Sequence, residues 1–473
     1  MIRTGTDILI LAIFLGLLTT GASAGGTPNP AFRVREGVPG DSTVGADTAS
    51  EITWTDRLGM PRTVQFVTGS KKFNPGWLSR YVYDDPPITV NAVDGSSGGL
   101  TDVSHNGGML KGKGRGAWST RDHKITWLLR GEHHGIVRVE YEMPFMIGEK
   151  KVSEETIRVV RDLFFADGTD HIVYAITLDF SKVPKDKASV DTRSPYMRWD
   201  WDGSGGGMGP YTGVKCGTDG TLICENTRTA TGMFVKTLGD NKVPYAYQWN
   251  TDSGRCAAII ATRPYAELPQ GSECWADNPD PILPARRWQR DQMKAWELPY
   301  QIGGYSGWIE KLTWQVPYNL GHEKVVVGKY SYSAWPAYSY ATLVLLDRLE
   351  RKSFERLLAE QELIPKVLAT AVVGRVVTEA APGPGQEKER ATLATPGYDP
   401  EMRAWRFACD KNHADVTLSP GAGTLVNPVL IFEDFRDDKP PVIPDALVSL
   451  DRNNGLVYAT LLKSVSGPTR ITF

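Results

Sequence analysis

Residues 193 to 214 read RSPYMRWDWDGSGGGMGPYTGV, which sets Tyr196, Trp199, Trp201 and Tyr211 beside Arg193, Asp200 and Asp202 and adds a run of glycines. In an extended chain Trp199 and Trp201 share one face while Arg198 and Asp200 take the other, and glycine lets the backbone turn sharply or approach a ligand. This mixture suits a sugar, whose C–H face stacks on Trp or Tyr and whose hydroxyls bond Asp, Asn or Arg. The competing reading is a hairpin with inward-packed tryptophans and a solvated glycine turn. Asp200-x-Asp202-Gly203 opens like a calcium loop, but the further acid and the distal Glu of such a loop are missing. No metal or cofactor is therefore expected, with calcium at this loop the alternative.

Histidine is scarce, and its grouping is informative. Ser104-His105-Asn106-Gly107-Gly108 and Glu132-His133-His134-Gly135 are both turn-like. If neighbouring hairpin tips converge, His105, His133 or His134 can act as a general base near neutral pH, and Asn106 can bind a hydroxyl or a carboxylate; otherwise these are solvated polar turns. The basic run Lys111-Gly112-Lys113-Gly114-Arg115 and the cluster Arg286, Arg287 and Arg290 either attract an acidic polysaccharide or are simply hydrated. A glycosidase needs two carboxyl groups across the scissile bond. Glu140 and Glu142 share one strand face, but their alternation with apolar residues assigns them to solvent. No G-x-S-x-G, H-E-x-x-H or phosphate-loop motif is present.

The elements that must position these groups read as β. Glu51 to Val67 and Lys124 to Met143 each form two strand-like runs around a turn, and in the second Val137, Val139, Tyr141 and Met143 alternate with Arg138, Glu140 and Glu142. A third hairpin turns at Asp167-Gly168 and lines up Ile172, Tyr174, Ile176, Leu178 and Phe180. Further strands are expected at 232–235, 245–249, 257–262 and 308–316. Leu343, Leu346, Leu349, Phe354, Leu357 and Leu358 recur at helical spacing and predict a core-facing helix. Ala381-Pro382-Gly383-Pro384-Gly385 reads as a linker, and beyond it alternation returns, with Asn454-Gly455 marking a hairpin turn.

The expected organisation is thus a segment 1–24 removed on export, a large antiparallel β-sandwich over 25–334, a helical connector over 335–380, a linker at 381–386 and a small β-sandwich over 387–473. Arg3, the apolar run Ile8 to Leu18 and Ala22-Ser23-Ala24 form an export signal too short to span a bilayer, so the mature chain is expected to be secreted or periplasmic, without membrane insertion. With 53 basic and 55 acidic residues, the basic excess of a nucleic-acid binder is lacking. Five cysteines in an exported chain predict Cys216–Cys224 and Cys256–Cys274 bridges with Cys409 free; zinc-type spacing is lacking.

This layout resembles secreted bacterial carbohydrate-active proteins whose main domain is a galactose-mutarotase-like supersandwich, as in polysaccharide lyases and some glycoside hydrolases. The resemblance is one of architecture, and no catalytic motif is carried over from it. It implies an exported protein acting on a polysaccharide or oligosaccharide. If enzymatic, lyase chemistry on an acidic polysaccharide fits the inventory slightly better than hydrolysis. Arg193, Asn106 or a basic cluster would neutralise the uronate, and His133, His134 or Tyr196 would take the proton. The alternative is a noncatalytic carbohydrate-binding or cell-surface β protein.

Overall fold

Alternating apolar and polar residues build antiparallel sheets through most of the chain, which is mainly β with sandwich-type packing, as expected. The computed structural model describes residues 32–40, 47–69, 76, 78–84, 86–91, 102–104, 123–147, 150–179, 196–199, 213–216, 222–225, 243, 245–263, 301–305, 308–315, 337–380 and 392–473, some strands by their backbone alone. The N-terminal strands are β1 (Arg33–Pro39), β2 (Thr48–Thr55), β3 (Pro61–Gly69), β4 (Leu78–Tyr83), β5 (Ile88–Asn91) and β6 (Asp102–Ser104). Long hairpins follow: β7 (Lys124–Arg130), β8 (His134–Ile147), β9 (Lys150–Ala166) and β10 (His171–Asp179). Then come β11 (Tyr196–Trp199), β12 (Gly213–Cys216), β13 (Leu222–Glu225), β14 (Tyr245–Asn250), β15 (Arg255–Ala261), β16 (Gln301–Tyr305), β17 (Trp308–Gln315) and β18 (Ala337–Arg348). After helix α1 (Ser353–Leu363) lie β19 (Leu368–Val373), β20 (Arg375–Val376), β21 (Tyr398–Asp399), β22 (Ala404–Ala408), β23 (Asp415–Ser419) and β24 (Leu425–Val426). The chain closes with β25 (Val429–Glu433), β26 (Ala446–Asp451), β27 (Leu456–Leu461), β28 (Ser464–Val465) and β29 (Thr469–Thr472).

A nine-stranded sheet, ordered β13-β12-β14-β15-β18-β10-β9-β8-β7, forms the centre. One of its faces packs on the five-stranded meander β1-β2-β3-β4-β5 through fully buried aromatics: Trp54 lies 5.4 Å from Phe165 between ring centroids, and Phe66 lies 6.0 Å from the same ring. The other face of β7 to β10 meets the C-terminal region, where Phe164 stacks on His134 and both approach Tyr458. The C-terminal strands form a three-stranded sheet, β19-β23-β29, and a larger sheet, β20-β22-β25-β27-β26 with β21 on β22. Alternation divides the larger sheet cleanly. Trp405, Phe407, Leu430, Phe432, Val457 and Ala459 enter a second core with Val416, Leu418 and Ile471, while Ala404, Val429, Ile431 and Tyr458 join the core of the large domain.

Two boundaries differ from expectation. Leu343 and Leu346 lie in β18, between β10 and β15, rather than in a helix. Leu343, Val344, Leu345 and Leu346 are all fully buried, because a central strand is covered on both faces; its apolar run then lacks the period of two and mimics helical spacing. Only the later residues are helical, with Phe354 and Leu357 buried and Phe354 stacked on Tyr247 at 3.9 Å. The 335–380 segment is therefore strand, helix and strand. The C-terminal domain also begins before the expected 381–386 linker, since β19 and β20 already pair with β23 and β22. The expected linker lies outside the described residues, and Glu379 bridges Thr392 on its two sides.

The Asp167-Gly168 and Asn454-Gly455 turns form as expected, with positive φ at Gly168 (83°) and Gly455 (64°). Cys256 does not form the expected bridge to Cys274. It is a free, buried thiol whose Sγ donates to the Asp347 carbonyl, and burial pushes its pKa up. Cys409 is free. The side chains of Cys216, Cys224 and Cys274 lie outside the described residues, as do residues 1–31. No helix among the described residues is long and apolar enough to cross a membrane.

Candidate functional site

The face of β8, β9 and β10 that reads as wet in the sequence is the floor of a cleft. Ile136, Arg138, Val160, Asp162, Ala175 and Thr177 project from it, with Leu128 at its edge. Opposite stand Asp399, Glu401 and Met402 from the turn after β21, Arg406 from β22, Ile431 and Glu433 from β25, and Leu456 and Tyr458 from β27. Together they enclose a cavity of about 210 Å³.

Cross-strand geometry fixes most of the charges. Arg138 and Asp162 are direct partners in the β8–β9 ladder, and the guanidinium grips the carboxylate at 2.8 and 2.7 Å. That hydrogen bonding raises the pKa of Arg138 above its usual value. Arg406 donates to Asp399 Oδ2 at 3.1 Å and to Glu433 Oε1 at 2.7 Å. Burial works against its charge, but the two carboxylates outweigh it and its pKa rises. Asp399 also shapes the turn, because its Oδ1 accepts the N–H groups of Glu401 (2.9 Å) and Met402 (3.2 Å).

Glu401 is held by this turn, with a loose ion pair to Arg263 beside it. Its nearest cation is Arg263 at 3.6 Å, outside hydrogen-bonding distance, and it accepts no hydrogen bond among the described residues. Burial between the cleft walls, and next the charge of Asp399, push its carboxyl up to about 7. Since 41 % of the side chain still meets solvent, water screens part of that effect; the direction, towards a proton-carrying acid at neutral pH, follows from both causes. Burial likewise pushes the Tyr458 hydroxyl up.

The histidines expected to serve as bases are placed differently from one another. His134 is fully buried where the β7–β8 tip docks on the C-terminal domain, with Nδ1 2.9 Å from Ser449 Oγ and Nε2 2.9 Å from Thr460 Oγ1. Burial, then His133, lowers its pKa to about 3. With both nitrogens occupied and no solvent contact, it is a neutral joint between domains and has no access to a substrate proton, which corrects its expected catalytic role. His133 is 20 % exposed, and its Nδ1 lies 3.0 Å from Asp167, whose other oxygen accepts the Thr55 N–H at 2.8 Å. His133 N also donates to Ser449 Oγ, so this residue too ties the tip to its neighbours.

Tyr196 and Trp199 are described by backbone only. They begin and end β11 in the four-stranded sheet β16-β17-β11-β6, with Tyr196 opposite Ser104 and Trp199 opposite Leu312. His105, Asn106, Arg193, Asp200, Trp201, Asp202 and Tyr211 lie outside the described residues. Among the described residues no group of His, Cys, Asp or Glu is arranged to hold a metal ion. The cleft charges were not singled out from the sequence, although Arg138 and Asp162 interrupt predicted strands and Arg406 and Glu433 sit within or at the end of apolar ones. Comparison with protein-family profiles finds none that matches the chain, and comparison with curated proteins finds no significant match.

Proposed function

We propose that this is an exported, carbohydrate-directed protein that seats a ring or chain end of a neutral glycan between β8–β10 and the C-terminal sandwich. The observation that carries this reading is the cleft itself. It joins an apolar surface (Leu128, Val160, Met402, Leu456) to convergent hydrogen-bonding groups (Arg138, Asp162, Thr177, Asp399, Arg406, Glu433), the combination a sugar's C–H face and hydroxyls require. Pockets for drug-sized ligands run to roughly 300–1,000 Å³, so a cavity of about 210 Å³ suits one ring better than a long run of them. Arg138 and Arg406 are already committed to carboxylates. Among the described residues lining the cleft both guanidinium groups are thus engaged by carboxylates, which favours a neutral glycan over an acidic one. The N-terminal export pattern and the architectural resemblance support the extracellular, glycan-directed part of the reading.

The test is calorimetric titration of the chain from Gly25 with neutral and acidic polysaccharides and their short oligosaccharides. A neutral oligosaccharide should bind. Leu128→Glu, placed at the partly exposed lip, should weaken that binding by about tenfold, equivalent to 1.4 kcal/mol. Binding of acidic glycans alone, or unchanged affinity in Leu128→Glu, would remove the cleft from consideration.

A further inference from the structure

Four carboxylates converge on the cleft, and their partners separate one from the other three. Asp162 is gripped on both oxygens by Arg138. Asp399 is engaged by Arg406 and by two backbone N–H groups, and Glu433 is engaged by Arg406. Hydrogen bonds of this kind hold the acceptor in place. Glu401 lacks this constraint: its carboxyl reaches the cleft from a turn fixed by backbone hydrogen bonds, while the carboxyl itself accepts none among the described residues. The arrangement thus sets one carboxyl without a hydrogen bond among three that are hydrogen-bonded.

Resting on the reading of the cleft as a glycan site, we propose that Glu401 is the proton donor for hydrolysis of a glycosidic bond seated there. The bond between the anomeric carbon and the leaving oxygen breaks, both of its electrons stay on the oxygen, and that oxygen takes the Glu401 proton. Water adds through its oxygen to the anomeric carbon, and the proton it releases returns to the Glu401 carboxylate, which restores the starting state. Arg406 carries one positive charge between two carboxylates, so that cluster retains a net negative charge able to stabilise the positive charge developing on the sugar.

The groups around Glu401 favour its protonated form. Burial, then Asp399 from the same turn and Asp162 from β9, raises its pKa, while Arg263 beyond β15 and Arg138 from β8 act in the opposite sense; the balance favours the protonated acid. A donor with its pKa near the working pH is the efficient case.

The test uses the full mature chain, the neutral glycans of the binding panel with reducing-end detection, and 2,4-dinitrophenyl glycosides of common hexoses. Wild-type protein should release reducing ends from a glycan it binds, with a rate that falls as the pH rises through about 7. Glu401→Gln should still bind that glycan and cleave it roughly 10²–10⁴-fold more slowly. The same variant should lose far less activity on the dinitrophenyl glycoside, whose leaving group departs without a proton, a split that mere structural damage would not produce. Glycan binding without cleavage by wild type, or equal losses on both substrates, would overturn the proton-donor assignment and leave the binding site standing. Absence of glycan binding by wild type would overturn the site and the assignment together.

Discussion

The nine-stranded sheet carries charge on both of its faces, and the two faces use it in opposite ways. Towards the five-stranded meander, Arg62 is fully buried and donates to Asp56 at 3.1 Å, to Asp347 at 3.2 Å, to the Leu346 carbonyl at 2.5 Å and to Tyr81 at 3.3 Å. Arg351 adds bonds to Asp347 and Asp84, which makes a largely buried network joining β3 and β18 to the ends of β2 and β4. Towards the C-terminal sandwich, Arg138 and Arg406 are paired as firmly, but the site is partly open and Glu401 has only a loose ion pair with Arg263. The difference teaches that charge in a β-sheet interior does not by itself mark a functional site. What separates the faces is an incompletely paired acid next to reachable space.

The sharpest way to break the comparison is to remove Arg62. Arg62→Met keeps much of the volume but leaves the buried Asp56 and Asp347 with Arg351 as their remaining cation, 3.7 and 3.0 Å away. Breaking a buried pair in this way costs about 3–5 kcal/mol. Urea unfolding should show that loss with little change in the slope of the transition. A loss below about 1 kcal/mol would mean that this network is wetter and looser than its zero exposure indicates, and the contrast between the faces would weaken.

Acid should act next most strongly, through the joint between the domains. His134 titrates at about 3 in the fold, against about 6.5 when unfolded, and His171, buried beside Arg403 and Asp170, at about 4. The unfolded chain therefore binds more protons between those values, so stability is full above pH 6.5 and declines as the pH falls towards 4 and then 3. At about 1.4 kcal/mol per unit for each histidine, the loss by pH 4 is on the order of several kcal/mol. Asp170 adds to the decline below about pH 4, because Arg356 and His171 outweigh its burial and hold it well below the usual carboxylate range, so the unfolded chain takes up its proton first. Equilibrium unfolding at pH 7, 5.5 and 4 would measure the slope, and His134→Gln should flatten it. A slope unchanged in that variant would show that the joint is not where acid acts.

Much of the fold was legible because its strands are half-covered. In β8 the residues Val137, Val139 and Tyr141 face the meander while Arg138 and Glu140 do not, and that alternation is readable one residue at a time. Strand β18 was not legible, since cover on both faces erases the alternation. The start of the C-terminal domain was hidden for a different reason: the pairing of β19 with β23 spans some 50 residues, and the Gly/Pro run between them imitates a linker. The candidate site was least legible. Arg138 reads as a solvent residue until Tyr458 and Ile431, about 300 positions away, are placed opposite it. His133 and His134 attract notice as catalytic types, yet their contacts are with Asp167, Ser449 and Thr460 at the domain joint. A site assembled between two domains has no local spacing to betray it.

The smallest effect belongs to Glu401, and its sign is the most telling. A carboxyl whose folded pKa lies above its unfolded value binds more protons in the fold, so between about pH 4.5 and 7 its contribution to stability falls as the pH rises. Gln has the same shape and no charge. Glu401→Gln should therefore match wild type at pH 4.5 and exceed it slightly at pH 8, by less than about 1 kcal/mol once solvent screening of this partly exposed side chain is allowed for. Paired melting curves at the two pH values measure the difference directly. Arg62→Met and Glu401→Gln then fall at opposite ends of one scale, because the first removes a charge that the fold has fully satisfied and the second removes one that it has left unsatisfied. A destabilisation of several kcal/mol in Glu401→Gln at pH 8 would place Glu401 with Arg62 as part of the framework and erase the distinction between the two faces.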